Sequence, residues 1–421
     1  MRHTEKEFLK GLFDAAVAAA DPVRVLPGFL PQTPRGRTVV VGAGKGAAQL
    51  AAAFERLWGR EVAGTIVTPY GHAADCSGIR VLEAAHPVPD ENGLIASREL
   101  IKAVTGLGPD DLVVALICGG SSALLPAPPK GLSLADEQDL NIALLNSGAP
   151  IGVMNAIRKC ASEIKGGRLA RIAHPAKVAS LIVSDVPGDD PSEVGSGPTV
   201  PGTTGRAEAI EYVSAYQIPI PKRIEQHLLQ AEDDISSPDE SCFEGHEVRV
   251  IASAGMSLEA AAQLASDSGY AAVVLSDSIE GEAAQAGTVL AAIAREIANR
   301  DRPFRKPVVL LSGGETTVTI GGRSGRGGRN AEFLLSFALA IQGFDGIAAL
   351  AADTDGKDGT EDNAGAFADG STIARLRTTG MDARAALVAH DAWSAFDALG
   401  DLLVTGPTGT NVNDFRAMII H

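Results

Sequence analysis

The chain has 421 residues, 45% hydrophobic, 21% charged and 4% aromatic, with a formal net charge of −16 at pH 7. That length and composition fit a globular protein of about two domains, and the acidic balance excludes a nucleic-acid or anionic-membrane surface as the main partner. No apolar run reaches the roughly 18 residues of a membrane span, and the amphipathic start Met1-Arg-His-Thr-Glu-Lys-Glu-Phe lacks an apolar signal core, so a cytoplasmic location is expected.

In chain order, short aliphatic runs alternate with helical periodicity. Residues 38–41, 64–68, 112–118 and 178–184 read as strands, and 47–57, 92–104, 134–145 and 152–172 as helices. Such alternation predicts an α/β fold built on an open, doubly wound, mostly parallel sheet with helices on both faces. A polar, aperiodic stretch at 232–245 reads as a linker or surface loop and divides the chain into domains 1–240 and 241–421. Beyond it, 247–252 is a strand, 257–268 a helix with a serine at its N-cap, 271–275 a strand and 282–300 a helix. Strands at 307–311 and 316–320, a helix at 330–341 and a strand at 346–352 follow. Only Ser312-Gly-Gly-Glu315 joins the strands at 307–311 and 316–320, so they are expected to pair as a hairpin and make the second sheet mixed. Cys76, Cys118, Cys160 and Cys242 show no CxxC or metal spacing and read as reduced thiols.

The candidate chemistry lies in the loops that follow strands, where open α/β sheets bind ligands. Gly42-Ala-Gly44-Lys45-Gly46-Ala47 fits the G-x-G-x-x-A dinucleotide pattern with Glu61 nineteen residues after Gly42, and does not fit a P-loop. A lysine at a helix N-terminus opposes the helix dipole, which is more easily explained if an anion shares the site. Gly119-Gly120-Ser121-Ser122 offers hydroxyls and N–H groups for a carboxylate or phosphate, with serine capping as the plainer alternative. Asp185 and Asp189 follow one apolar strand, and Asp353 and Asp355 follow another. One or two carboxylates of this kind hold hydrated Mg²⁺ beside substrate phosphates; solvated loop aspartates are the alternative. Gly313-Gly314-Glu315, followed by Gly325-Arg326-Gly327-Gly328-Arg329-Asn330 with Arg323 just before, reads as a phosphate grip opening a helix. Asn155, Arg158, Lys159 and Lys165 share a helical stretch that a solvated basic face explains as well as a site does. His86-Pro87 and His174-Pro175 read as loop structure.

Taken together, these loops resemble the two-domain glycerate 2-kinases, whose C-terminal part is called the MOFRL domain. The likeness rests on Val41-Gly-Ala-Gly-Lys-Gly-Ala, Cys118-Gly-Gly-Ser-Ser-Ala, Ile164-Lys-Gly-Gly-Arg-Leu-Ala and Ser184-Asp-Val-Pro-Gly-Asp in the first half. In the second it rests on Ser312-Gly-Gly-Glu-Thr-Thr-Val-Thr-Ile, Gly327-Gly-Arg-Asn-Ala-Glu, Asp353-Thr-Asp-Gly-Lys-Asp-Gly and Gly406-Pro-Thr-Gly-Thr-Asn-Val-Asn-Asp. The resemblance implies a Rossmann-like N-terminal domain, a smaller α/β C-terminal one, and ATP- and Mg²⁺-dependent phosphorylation of the 2-hydroxyl of D-glycerate in a cleft between them. It leaves a homodimer open.

The family's catalytic positions map onto Lys45 and Arg329, with Arg323 and Arg326 as neighbours of the latter. Gly120, Ser121, Ser122 and Arg158 are then substrate-binding candidates. Gly44, Gly313, Gly314, Glu315, Arg323, Arg326, Asn330 and Asn411 are candidates for the ATP side, and Asp185, Asp353 and Asp355 for the metal. Asp189 or Asp185 would orient the attacking hydroxyl or hold the metal. The rival reading is an NAD(P)H-dependent hydroxypyruvate reductase, supported by the G-x-G-x-x-A match.

Overall fold

The computed structural model describes residues 1–202, 204–230, 240–322 and 325–421. The chain divides into two units, one formed by Pro22–Ile251 and the other by Met1–Asp21 together with Ala252–His421. The boundary expected after residue 240 thus lies at residue 251, and the first 21 residues join the C-terminal unit. The physical reason is the N-terminal helix His3–Ala19: Leu9, Leu12, Phe13 and Ala16 form one apolar stripe at i, i+3, i+4 and i+7. That stripe is buried with Leu258, Val309, Leu311 and Phe415 in one core. Most of the linker stretch expected at 232–245 lies outside the described residues.

The unit Pro22–Ile251 is built on β1 (Thr38–Ala43), β2 (Ala63–Pro69), β3 (Ile79–Ala84), β4 (Leu112–Ile117), β5 (Lys177–Val183) and β6 (Glu247–Ala252). Their order is β3-β2-β1-β4-β5-β6, in a parallel sheet. That is the strand order of a dinucleotide-type Rossmann sheet, in which the direction of winding reverses between β1 and β4. β3 is absent from the sequence expectation because Arg80 and Glu83 interrupt its apolar run. β6, expected in the second domain, is the edge strand of this first sheet. The helix expected over 152–172 breaks into Ile151–Cys160 and Arg168–Ala173, because Gly166 and Gly167 both take positive φ between them.

The second unit carries β7 (Ala271–Ser276), β8 (Gly281–Glu282), β9 (Val308–Ser312), β10 (Thr316–Thr317), β11 (Ile347–Asp353), β12 (Gly365–Asp369), β13 (Leu402–Leu403) and β14 (Asp414–Ile420). Six of these form a mixed sheet ordered β13-β12-β11-β14-β9-β7. The antiparallel component comes from β14, which inserts between β11 and β9, and from β12, which pairs with β11 and β13. The hairpin expected between 307–311 and 316–320 does not form. β9 pairs with β14 and β7, while β10 turns away to pair with β8 in a separate two-stranded ribbon. Gly314 permits this diversion: its φ is +113°, and its Cα presses so closely on the Ile279 backbone that no side chain fits. The helices Ala283–Arg300 and Arg329–Ala340 share one core with the sheet, and His3–Ala19 and Ala254–Asp267 share another. The last of these begins a turn earlier than expected, capped by Ser253 rather than by a serine at 257. No helix among the described residues is long and apolar enough to cross a membrane.

Candidate active site

In the unit Pro22–Ile251, the ends of β1 and β4 bring Gly44, Lys45, Gly119 and Gly120 to the switch point of the sheet. The Lys45 N–H donates to the Gly119 carbonyl at 2.9 Å and the Gly44 N–H to the Val67 carbonyl at 3.1 Å. Gly44, at φ +130°, lies against the Cys118 backbone with no room for a Cβ. The loop's glycines therefore serve strand-to-strand packing, and the side chain of Lys45 is what the loop offers to a ligand. Lys45 makes no ion pair among the described residues, unusual for a half-buried lysine.

His86, read from sequence as loop structure, reaches this site from the end of β3. A Cβ on Gly120 would meet His86 Nε2 at 2.9 Å and Lys45 Cγ at 3.5 Å. Burial, then the Lys45 ammonium and His72, push the His86 pKa down to about 4, so the imidazole is neutral at pH 7. The missed signal was β3 itself, where Ile79 and Val81 alternate with Arg80.

Asp185, just beyond β5, packs its carboxylate against Gly119, where any side chain would collide with it. Burial and this carboxylate push the Cys118 thiol up to about 12, which makes it an inert core thiol. Asp189 lies four residues on, half-buried, with a left-handed φ of 54°. Ser121 is fully buried and its Oγ has no hydrogen-bond partner among the described residues. Ser122 Oγ lies 2.9 Å from Ser196 Oγ, which donates to Asn155 Oδ1 at 3.1 Å. Asn155 Oδ1 also accepts from Arg158 Nη1 at 3.1 Å, and Arg158 Nε donates to Asn141 Oδ1 at 2.9 Å. Arg158 thus bonds amide oxygens and makes no ion pair among the described residues, although Glu137 acts on its charge from farther off.

The helical stretch around Asn155 is no solvated basic face. Asn155, Lys159 and Lys165 are 3%, 2% and 1% exposed. Lys159 and Lys165 instead pair with Glu193 and Glu137 at 2.5 and 2.9 Å, as buried charges must.

The Gly/Arg segment of the other unit behaves differently. Arg329 donates from Nε to Asp414 at 2.7 Å, from Nη1 to Glu315 at 2.7 Å and from Nη2 to Asp353 at 2.8 Å. Burial opposes its charge, yet Asp414, Asp353 and Glu315 hold its pKa above the ordinary arginine value. Asp414 is also held by Arg416 at 2.5 Å, with both side chains fully buried, and by Asn330 Nδ2 at 2.7 Å. Burial, then Asp355, raises the Asp353 pKa well above the carboxylate range. Its Oδ1 accepts the Asp355 N–H at 3.0 Å, so both of its oxygens are engaged.

The expected phosphate grip at the start of the helix Arg329–Ala340 is filled from within. Asp358 accepts the N–H groups of Asn330 and Ala331 at 2.9 and 2.8 Å, taking the donors an anion would use. Burial raises its pKa to about 6. Gly328 serves this approach, since a Cβ there would collide with Asp358. Arg326 stacks on the Trp393 ring at 3.4 Å and pairs with Glu361 at 2.6 Å. Gly313 donates its N–H to Ser276, and Asn411 accepts from the Asn413 N–H at 3.2 Å. Arg323 lies outside the described residues. The sequence foresaw these residues but not the carboxylates that occupy them; Asp414, Arg416 and Asp358 were the missing members.

Residues 8–229 match the family described as a domain of unknown function (DUF4147), and residues 308–414 match the MOFRL family. The chain is 50% identical over 99% of its length to an Agrobacterium vitis protein named as a hydroxypyruvate reductase, covering 94% of that protein. It is 38% identical over 95% of its length to the D-glycerate 2-kinase of Thermotoga maritima, covering 94% of it. The crystal structure of a Thermotoga maritima glycerate kinase superposes with a TM-score of 0.89 at 36% identity, over 100% of both chains. The chain belongs to the two-domain glycerate kinase family that joins a DUF4147 region to a MOFRL region.

Proposed function

We propose that the chain is a glycerate 2-kinase, transferring the γ-phosphoryl group of ATP to the 2-hydroxyl of D-glycerate. The observation that carries this reading is Lys45, a cation with no ion pair among the described residues, at the switch point of a Rossmann sheet in the unit that also carries Ser122 and Arg158. Phosphoryl transfer asks mainly for positioning and for neutralisation of spreading negative charge. Lys45 meets the phosphoryl group in transit, while Arg158 and the Gly120 turn hold the substrate carboxylate and Ser122 Oγ accepts from a substrate hydroxyl. The 2-hydroxyl oxygen forms the new bond to phosphorus as the bond to the ADP oxygen breaks, and the hydroxyl proton passes to Asp185 or Asp189. On the other unit, Arg329 uses three of its five N–H donors on carboxylates of that unit.

For Mg²⁺, the residues differ in fitness. Asp353 fits poorly, because the Arg329 guanidinium 2.8 Å from its carboxylate already supplies the counter-charge and would repel a divalent cation. Asp185 fits the single-carboxylate pattern of a metal shared with substrate phosphates. Bound there, Mg²⁺ would neutralise phosphate charge.

A reductase reading is favoured by the name of the Agrobacterium vitis relative. Against it, the N–H groups of Gly44, Lys45 and Ala47 already bond the carbonyls of Val67, Gly119 and Gly44, which removes the donors a dinucleotide pyrophosphate would take. A coupled ADP-release assay over a panel of small hydroxy acids, with NMR of the product, tests the proposal. The expected result is turnover on D-glycerate giving 2-phosphoglycerate. NADH oxidation with hydroxypyruvate in the absence of ATP would overturn it.

A further inference from the structure

Gly195, Ser196 and Gly197 form three consecutive left-handed residues, with φ of 60°, 60° and 58°. A run of this kind is rare, since each L-residue with a side chain is disfavoured there. The two flanking positions admit only glycine on space as well as on φ. A Cβ on Gly195 would collide with Ser121 Oγ, and one on Gly197 would lie 2.6 Å from the Ser192 carbonyl oxygen. The middle position alone carries a side chain, although glycine would relieve the strain there too.

The Ser196 backbone is already satisfied: its N–H donates to the Glu193 carbonyl and its carbonyl accepts the Gly166 N–H, both at 3.0 Å. What the serine adds is Oγ, fully buried, between Ser122 Oγ at 2.9 Å and Asn155 Oδ1 at 3.1 Å. Its single proton goes to Asn155, so Ser122 must be the donor in the Ser122–Ser196 bond. That fixes the rotamer of the one serine hydroxyl in this chain of bonds that is not fully buried. Behind it, Asn155 Nδ2 donates to Glu193 Oε2 at 2.9 Å, and Lys159 donates to Glu193 Oε1 at 2.5 Å. The line of bonds therefore ends on an ion pair whose lysine is buried and whose Glu193 is partly exposed, which limits its freedom to rearrange.

We propose that Ser196 is a positioning residue for the hydroxy-acid substrate. Its strained left-handed backbone aims Oγ so that Ser122, its proton held by Ser196, turns a lone pair to a substrate hydroxyl, and so that Arg158, through Asn155, stands in the register the substrate carboxylate needs. The proposal rests on the kinase reading above and adds a specificity element to it. Ser196→Ala and Ser196→Gly both delete the hydroxyl, but only the glycine variant also relieves the backbone strain.

The test is steady-state kinetics on the full chain, varying D-glycerate and ATP separately, with Tm measured for each variant. Both variants are expected to raise KM for D-glycerate about tenfold, roughly the worth of one weakened hydrogen bond between Arg158 and the substrate carboxylate, with KM for ATP unchanged. The glycine variant is expected to melt above the alanine variant. A glycine variant with wild-type KM beside a defective alanine variant would reduce Ser196 to a backbone role and overturn the proposal. Equal changes in both KM values, or no change, would overturn it as well. A wild-type protein that forms no phosphoglycerate would sink the kinase reading and the proposal together, whereas a working kinase with unmoved variants sinks only the proposal.

Discussion

The loops at the ends of β1 and β4 and the Gly/Arg segment before the helix Arg329–Ala340 are similar strings of glycine and basic residues, yet their cations meet opposite fates. Lys45 stands without an ion pair among the described residues, while Arg329 is surrounded by Asp414, Asp353 and Glu315 and Arg326 is stacked on Trp393. A cation with no partner adds little to the fold and is free to meet an anion. A cation holding buried carboxylates is part of the fold, because removing it leaves those charges uncompensated. The contrast teaches that glycine and a basic residue mark where backbone and charge come close, not whether a ligand or the protein supplies the counter-charge.

The largest expected effects come from removing each cation. Lys45→Ala should lower kcat about 100- to 1,000-fold, the usual cost of one transition-state charge contact, with Tm unchanged. Arg329→Ala should lose about 3 kcal/mol of stability, because the nearly buried Asp353 loses its ion pair while Asp414 keeps Arg416. In a unit of this size that is a fall in Tm of about 10 °C. Thermal melts and turnover measured on the same preparations decide the matter. A Lys45 variant that melts early, or an Arg329 variant that keeps its Tm, would erase the distinction between the two regions.

How much of this could be read in the sequence follows the same line. The loops after β1, β4 and β5 were legible because each is local: an apolar run, then Gly with Lys, Ser or Asp, within a few residues. The mixed character of the second sheet was expected, but for the wrong strands, since the hairpin was inferred from a short connection that Gly314 instead bends onto Ile279. The partners of Arg329 were not legible. Asp414 lies 85 residues away in the sequence and meets Arg329 only because β14 returns to the middle of the sheet. His86 escaped for a related reason: its strand carries Arg80 and Glu83, so the apolar periodicity that would have placed the loop after it was too weak to read.

A smaller effect sharpens the contrast on the second side. Arg326→Ala should lower Tm slightly through the lost stacking on Trp393 and the exposed pair with Glu361. KM for ATP should not move. A selective rise in KM for ATP would return Arg326 to the phosphate grip read from its spacing and make the two regions alike after all.

The smallest effect is a change in one titration. His86 is held down to about 4 first by burial and then by the Lys45 ammonium and His72. Its folded pKa thus lies below the ordinary 6.5, and the folded protein binds fewer protons than the unfolded chain between those values. The stability this group contributes is fully present above pH 6.5 and is lost as pH falls through 4. In Lys45→Ala the Coulombic part of the depression disappears while the burial remains, so the His86 pKa measured by NMR should rise yet stay below 6.5. The charge at residue 45, rather than the bulk of its side chain, has to account for that rise, so Lys45→Met should give the same shift and Lys45→Arg should not. An imidazole that titrates identically in all three variants would mean that the Lys45 ammonium points away from β3 and does not share its site with His86.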